Sequence, residues 1–178
     1  RAMPDTSPAD AQGGIGFTCA CCGQRHDGLP DLAYTAPAYR DPLLAQQDSD
    51  RNRLDEDCCV VGGTTFFIRC VLAVPILGTD ESLGWGVWIT QSEASFRDYI
   101  AHFKNTPERG TFGYLANRLP TYPDTLGLET QAPWQSDGRR PWVELRACDH
   151  PLCRDWRHGI TRERAIEFVQ LAHHPVPG

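Results

Sequence analysis

The spacing of apolar residues changes several times along the chain, and each change predicts an element. The densest apolar run, 64–74, reads Thr-Thr-Phe-Phe-Ile-Arg-Cys-Val-Leu-Ala-Val. A run this rich in β-branched and aromatic residues predicts a strand, and apolar residues at both parities predict a central one covered on both faces. Cys58-Cys59-Val60-Val61 precedes it across Gly62-Gly63, a link that predicts a hairpin. Residues 84–90, Gly-Trp-Gly-Val-Trp-Ile-Thr, predict the next strand. The period then lengthens: Phe96, Tyr99, Ile100 and Phe103 follow Ser92 at helical spacing, which predicts a capped helix over 93–104. Residues 111–118, 128–134 and 142–146 read as further strands separated by Pro- and Gly-containing turns. Thr161 is expected to cap a last helix, with Ala165, Ile166, Phe168, Val169 and Ala172 as its buried stripe, ending before Pro175. These elements define an α+β fold, a mainly antiparallel sheet with two or three packed helices.

Polar and proline-rich stretches divide the rest. Residues 29–42 hold Pro30, Pro37 and Pro42 and predict a loop with at most a helical turn. Residues 46–57, almost wholly polar, predict a short solvated helix or a mobile loop. Residues 1–16 carry no apolar signal-peptide core and predict a disordered tail, with Arg1-Ala2 ahead of Met3 reading as a cloning remnant. A single α+β domain is therefore expected over 17–178. The length of 178 residues suits one domain, and 40% hydrophobic residues suffice for a core.

Charge narrows the classes. Lys+Arg number 17 against 23 Asp+Glu, a formal net charge of -6, which argues against a nucleic-acid binder led by phosphate contacts and against an anionic membrane as partner. No apolar run approaches the roughly 18–20 residues that cross a bilayer. The expected location is the cytoplasm. Lys104 is the one lysine among the basic residues, a bias that fits a GC-rich bacterial genome. In a reducing compartment the 8 cysteines point to metal binding or redox chemistry rather than to structural disulfides.

The strongest chemical signal is Cys19-Ala20-Cys21-Cys22-Gly23-Gln24-Arg25-His26. Cys19 and Cys22 have the Cys-x-x-Cys spacing whose turn aims two sulfurs at one point, and His26 is within reach as a third ligand. Phe17 and Thr18 read as a short strand entering that turn, and Gly23 supplies the positive φ it needs. The run thus predicts a zinc knuckle over 19–26, with a structural Zn as cofactor; buried free thiols beside a surface histidine, or a thiol redox pair, are the competing readings. A structural site needs four ligands, and Cys59 and His150 are the candidates for the fourth. Cys58 and Cys59 are adjacent in a strand, so at most one faces the knuckle.

A second constellation lies at strand ends. Asp80 and Glu81 enter the strand that carries Trp85 and Trp88, whose different parity predicts that one is buried and the other lines a groove. Asn117, Arg118, Tyr122 and Asp124 lie in a loop braced by Pro120 and Pro123. If these segments converge with His150, they form a ligand or partner site with Arg118 reading an anionic group and the exposed tryptophan as its wall. Paired carboxylates there also offer acid/base chemistry; an ordinary polar turn and a loop with satisfied hydrogen bonds are the bland alternatives. Phosphate-binding, dinucleotide-binding, nucleophile-elbow and zincin motifs are all missing from the sequence.

Several motifs together resemble a bacterial family known as domain of unknown function 2199. They are Cys19-x-x-Cys22-Gly23-x-x-His26-x-x-Leu29-Pro30, Phe66-Phe67-Ile68-Arg69, Gly78-Thr79-Asp80-Glu81, Trp85-Gly86-Val87-Trp88, the 117–126 stretch, His150-Pro151-Leu152 and Gly159-Ile160-Thr161. The resemblance implies no activity. It does imply matched positions at Cys19, Cys22, His26, Cys59 and His150, with Cys21, Cys58, Cys70, Cys148 and Cys153 as extras. Three functional readings follow. The first is a cytoplasmic zinc-binding interaction module, in particular an immunity-type protein that neutralises a basic partner. The second is a small metal-assisted, hydrolase-like enzyme with water as fourth ligand and Asp80, Glu81 or the His150 region as base. The third is a thiol redox protein using Cys19 and Cys22.

Overall fold

The computed structural model describes residues 14–38, 51–105 and 107–173. Most of the expected tail, and residues 39–50 of the expected loops, lie outside them. Order begins before Phe17, because Ile15 is already buried and its N–H donates to Glu81 Oε2 at 3.3 Å.

The centre is a long antiparallel pair, β6 (Thr65–Pro75) and β7 (Ser82–Gln91), in register from Phe66↔Gln91 to Pro75↔Ser82. β5 (Cys58–Val61) joins β6 across Gly62-Gly63, whose φ values of 62° and 71° only glycine adopts without strain. β4 (Arg53–Leu54) flanks β5, and β3 (Leu32–Ala33) lies parallel to β7, giving the order β3-β7-β6-β5-β4. The expected loop at 29–42 therefore contains a strand, and the expected polar loop at 46–57 contains another. β8 (Gly110–Tyr114), β9 (Glu129–Pro133) and β10 (Glu144–Leu145) form a second, antiparallel sheet. The two sheets are stitched together by bridges, Ile89↔Leu115 on β7 and Val71↔Trp142 on β6.

Burial is one-sided. Ile68, Cys70, Leu72 and Val74 of β6, with Leu83, Trp85, Val87 and Ile89 of β7, form the main core under the helices. The opposite face holds a small cluster of Cys59, Phe67, Trp88 and Ala116, while Arg69, Val71 and Ala73 remain partly exposed. β6 is central as expected, but its second face is covered only at the Phe67 end.

Helix α1 (Glu93–Ala101) starts at Ser92, whose hydroxyl accepts from the Ser95 N–H at 3.1 Å. It stops three residues short of the expected end, and it buries Phe96 and Tyr99 while Ile100 stays exposed. Helix α3 (Arg162–His173) buries Ala165, Phe168 and Val169; Thr161 caps it, accepting from Arg164 N at 3.2 Å. Ala172, expected in the stripe, is exposed. Between them lies α2 (Pro151–His158), a helix the sequence pattern does not predict. Pro151 stands at its first position, where a missing N–H costs nothing. Its first turn brings Cys153 to a Cα–Cα distance of 6.1 Å from Cys148, within disulfide range, and the two are bonded. This corrects the expectation of reduced cysteines for that pair, while the other six cysteines are reduced thiols.

Candidate metal centre

The cysteine-rich run forms a two-stranded ribbon. β1 (Phe17–Thr18) pairs antiparallel with β2 (Arg25–His26), Phe17 opposite His26. The turn between them is closed by Cys19 N–H to Gln24 O and Gly23 N–H to Cys19 O, both at 2.9 Å, with Gly23 at φ 69°. The ribbon is anchored at its base. Phe17 is buried in the main core and stacks on the His26 ring at 5.1 Å, and Arg162 of α3 donates to Gly16 O at 2.7 Å.

This turn brings the ligand atoms of Cys19, Cys22 and His26 within 4.8 Å of one another, a group that could hold a metal ion. Cys22 Sγ lies 3.6 Å from His26 Nε2. The Cys19 thiol is held below its ordinary pKa by hydrogen bonds from the backbone N–H groups of Cys22 and Cys21, which outweigh the opposing effect of burial. Those same N–H groups stabilise the thiolate that a metal requires. Cys21 behaves in the opposite way: burial and the neighbouring Cys19 push its thiol up. The three ligands open onto a pocket of about 530 Å³, whose remaining walls are Gln24, Pro30, Val169, Gln170 and His173.

Neither expected fourth ligand joins them. Cys59 is fully buried beside Phe67 and Trp88 in the small cluster. His150 is the N-cap of α2, and its Nδ1 accepts from Leu152 N–H at 3.1 Å. That acceptor role places the ring proton on Nε2, so neither nitrogen has a lone pair to give a metal. His173 was not considered in the sequence, because it is remote from residues 19–26 and falls at the frayed end of a helical pattern.

The second constellation is dispersed into structural roles. Trp85 and Trp88 do lie on opposite faces, but both are buried, at 1% and 0% exposure, so the expected exposed tryptophan is corrected. The residues over Trp88 come from 34–38 and 115–117, and Trp88 Nε1 donates to Tyr34 O at 2.9 Å. Asn117 is a clamp: its Oδ1 accepts from Trp88 N at 2.8 Å and its Nδ2 donates to Ala36 O at 3.0 Å. Tyr122 is buried against Phe168 and donates to Asp155 Oδ2 at 2.8 Å. Arg118 and Asp124 are exposed and pair with each other at 3.4 Å. Asp80 is exposed in the β6–β7 turn, and Glu81 is engaged by Ile15.

The fold and this group define the class: a mixed α+β protein with a Cys-x-x-Cys turn and a histidine arranged as metal ligands. The chain belongs to the family described as uncharacterized protein conserved in bacteria (DUF2199), which matches residues 18–160. The match includes the whole Cys19–His26 turn and ends before α3. No curated protein and no solved structure matches the chain. Among the described residues no helix is long and apolar enough to cross a membrane.

Proposed function

We propose that this is a zinc-binding protein in which the ion shapes the N-terminal ribbon, and that the chain serves as an interaction module for a protein partner with a basic surface. The observation that carries the metal is the convergence of Cys19, Cys22 and His26 in a turn whose backbone already stabilises one thiolate. Two sulfurs and an imidazole suit Zn²⁺ better than the harder cations, which take oxygen ligands. The net charge of -6 supports the choice of partner, since it steers association toward positive surfaces. An immunity-type role, in which the partner is a toxin, fits the same charge.

A second reading is favoured by the pocket beside the ligands: a metal with an exchangeable water in the fourth position, as in metal-assisted hydrolysis. Asp80, Glu81 and His150, the bases expected from the sequence, do not line that pocket, which favours the module. Metal analysis of the purified full chain tests the proposal. It should carry about one zinc per molecule, lost in Cys19→Ser and in His26→Ala. Native, fully folded protein that neither contains nor takes up zinc would overturn it.

A further inference from the structure

We propose that His173, the last residue of α3, is the fourth ligand of the metal held by Cys19, Cys22 and His26, so that the ion ties the ribbon to the C-terminal helix. The inference rests on the zinc reading above and deepens it. A closed zinc site needs four ligands in tetrahedral array, drawn from Cys, His, Asp or Glu. Of the eight side chains around the pocket, four are of these types: the three ligands already described, and His173.

The surroundings agree. Val169 and Gln170 of α3 line the same pocket, so the final turn of the helix faces the ribbon and presents His173 beside it. The His173 side chain makes no hydrogen bond or ion pair with another described residue and is exposed, so recruiting it breaks no such bond. The competitors are otherwise committed: Cys59 is sealed in the small cluster, and His150 caps α2. Cys21 is close in sequence but is not part of the pocket wall; His173 is on that wall with its nitrogens outside the 4.8 Å group, so binding requires its exposed side chain to swing onto the ion. Two thiolates and two neutral imidazoles around Zn²⁺ give a complex without net charge, which suits a site where one ligand, Cys19, is buried.

The closed site also separates the two functional readings. With His173 bound, no position is left for a reactive water, and the metal is structural. Without it, the site keeps an open position.

The test uses the full chain loaded with Zn²⁺ or with Co²⁺ as a spectroscopic substitute. Affinity is measured by chelator competition and coordination by the Co²⁺ absorption bands. Replacing groups that merely orient a ligand costs roughly 10–100-fold in affinity, so loss of a ligand itself in His173→Ala should exceed about 100-fold. The Co²⁺ bands should shift, and His173→Cys should restore tight binding with stronger sulfur-to-metal charge transfer. Cys21→Ser and His174→Ala, as neighbouring controls, should leave both readouts unchanged. Wild-type affinity and bands in His173→Ala would overturn the proposal, as would a loss confined to either control. Absence of metal from the wild-type chain would overturn the zinc reading itself, an outcome distinct from a zinc protein indifferent to His173. Since His173 is exposed at a helix end, an unchanged unfolding midpoint would show that any lost affinity is not lost folding.

Discussion

Ile68 and Cys19 are both almost fully buried, at 0% and 2% exposure, yet they are held in place by different means. Ile68 sits in the third pair of a ten-pair antiparallel ladder, under helices and beside other apolar side chains. Cys19 sits in a ribbon whose strands contribute two residues each, at the margin of the same core, which the ribbon joins through Ile15, Phe17 and Cys19 alone. An isolated two-stranded hairpin of this size does not fold by itself in water. Burial of apolar surface accounts for the first region; in the second, a few core contacts and the Arg162 tether from α3 leave room for the proposed metal to add to them. The comparison teaches that a body held by hydrophobic packing can carry an appendage too small for a core of its own, whose ligand-type side chains are the natural place for coordination chemistry.

The comparison can be broken most forcefully at Ile68. Ile68→Ala should cost about 2–5 kcal/mol in denaturant unfolding, because the ladder prevents the core from collapsing into the space. A negligible cost would mean that the central pair is not what stabilises the body. Asn117→Ala should cost less, about 1–3 kcal/mol, by leaving the Trp88 N–H and the Ala36 carbonyl buried without partners. The same unfolding assay checks it, and a neutral result would refute the clamp role. Ser92→Ala removes only the cap of α1 and should cost about 1 kcal/mol, with helix content nearly unchanged. The smallest effect on the body is expected from chelating the metal. Backbone NMR shifts should move through residues 17–26 and the end of α3 while those of β6 and β7 stay in place. Shifts spreading along β6 and β7 would join the two regions into one unit and end the distinction.

How far the sequence was legible depended on whether a residue's environment is local. β6, β7, α1 and α3 were readable because their apolar spacing records the face they bury, and Ser92 and Thr161 act within a turn of their own position. The Cys19–His26 turn was readable for the same reason, since all three ligands lie within eight residues. α2 was not, because His150 is an unusual cap and Pro151 reads as a breaker until it is placed at the first helical position. β3 was missed because two residues among prolines become a strand only when β7 offers an edge. The expectation of an exposed tryptophan fails because parity gives a face but not its cover, and the cover of Trp88 comes from two distant segments. The proposed fourth ligand falls outside sequence reasoning because two residues as far apart as 26 and 173 that line one pocket leave no trace in spacing.

The parallel seating of β3 beside β7 sets the order in which the molecule assembles. β6 and β7 are consecutive and joined by a short turn, so closing their ladder costs little chain entropy. β3 pairs with the far edge of β7 across everything that lies between Ala33 and Ser82, and a parallel pairing over that span is slow to find. The β6–β7 hairpin is thus the natural nucleus and β3, with the ribbon ahead of it, a late arrival. Substitutions at facing positions such as Leu72 and Trp85 should slow folding, whereas those in Leu32 should chiefly speed unfolding. Among the described strands of the main sheet, the one that comes first in sequence is thus the one expected to settle last.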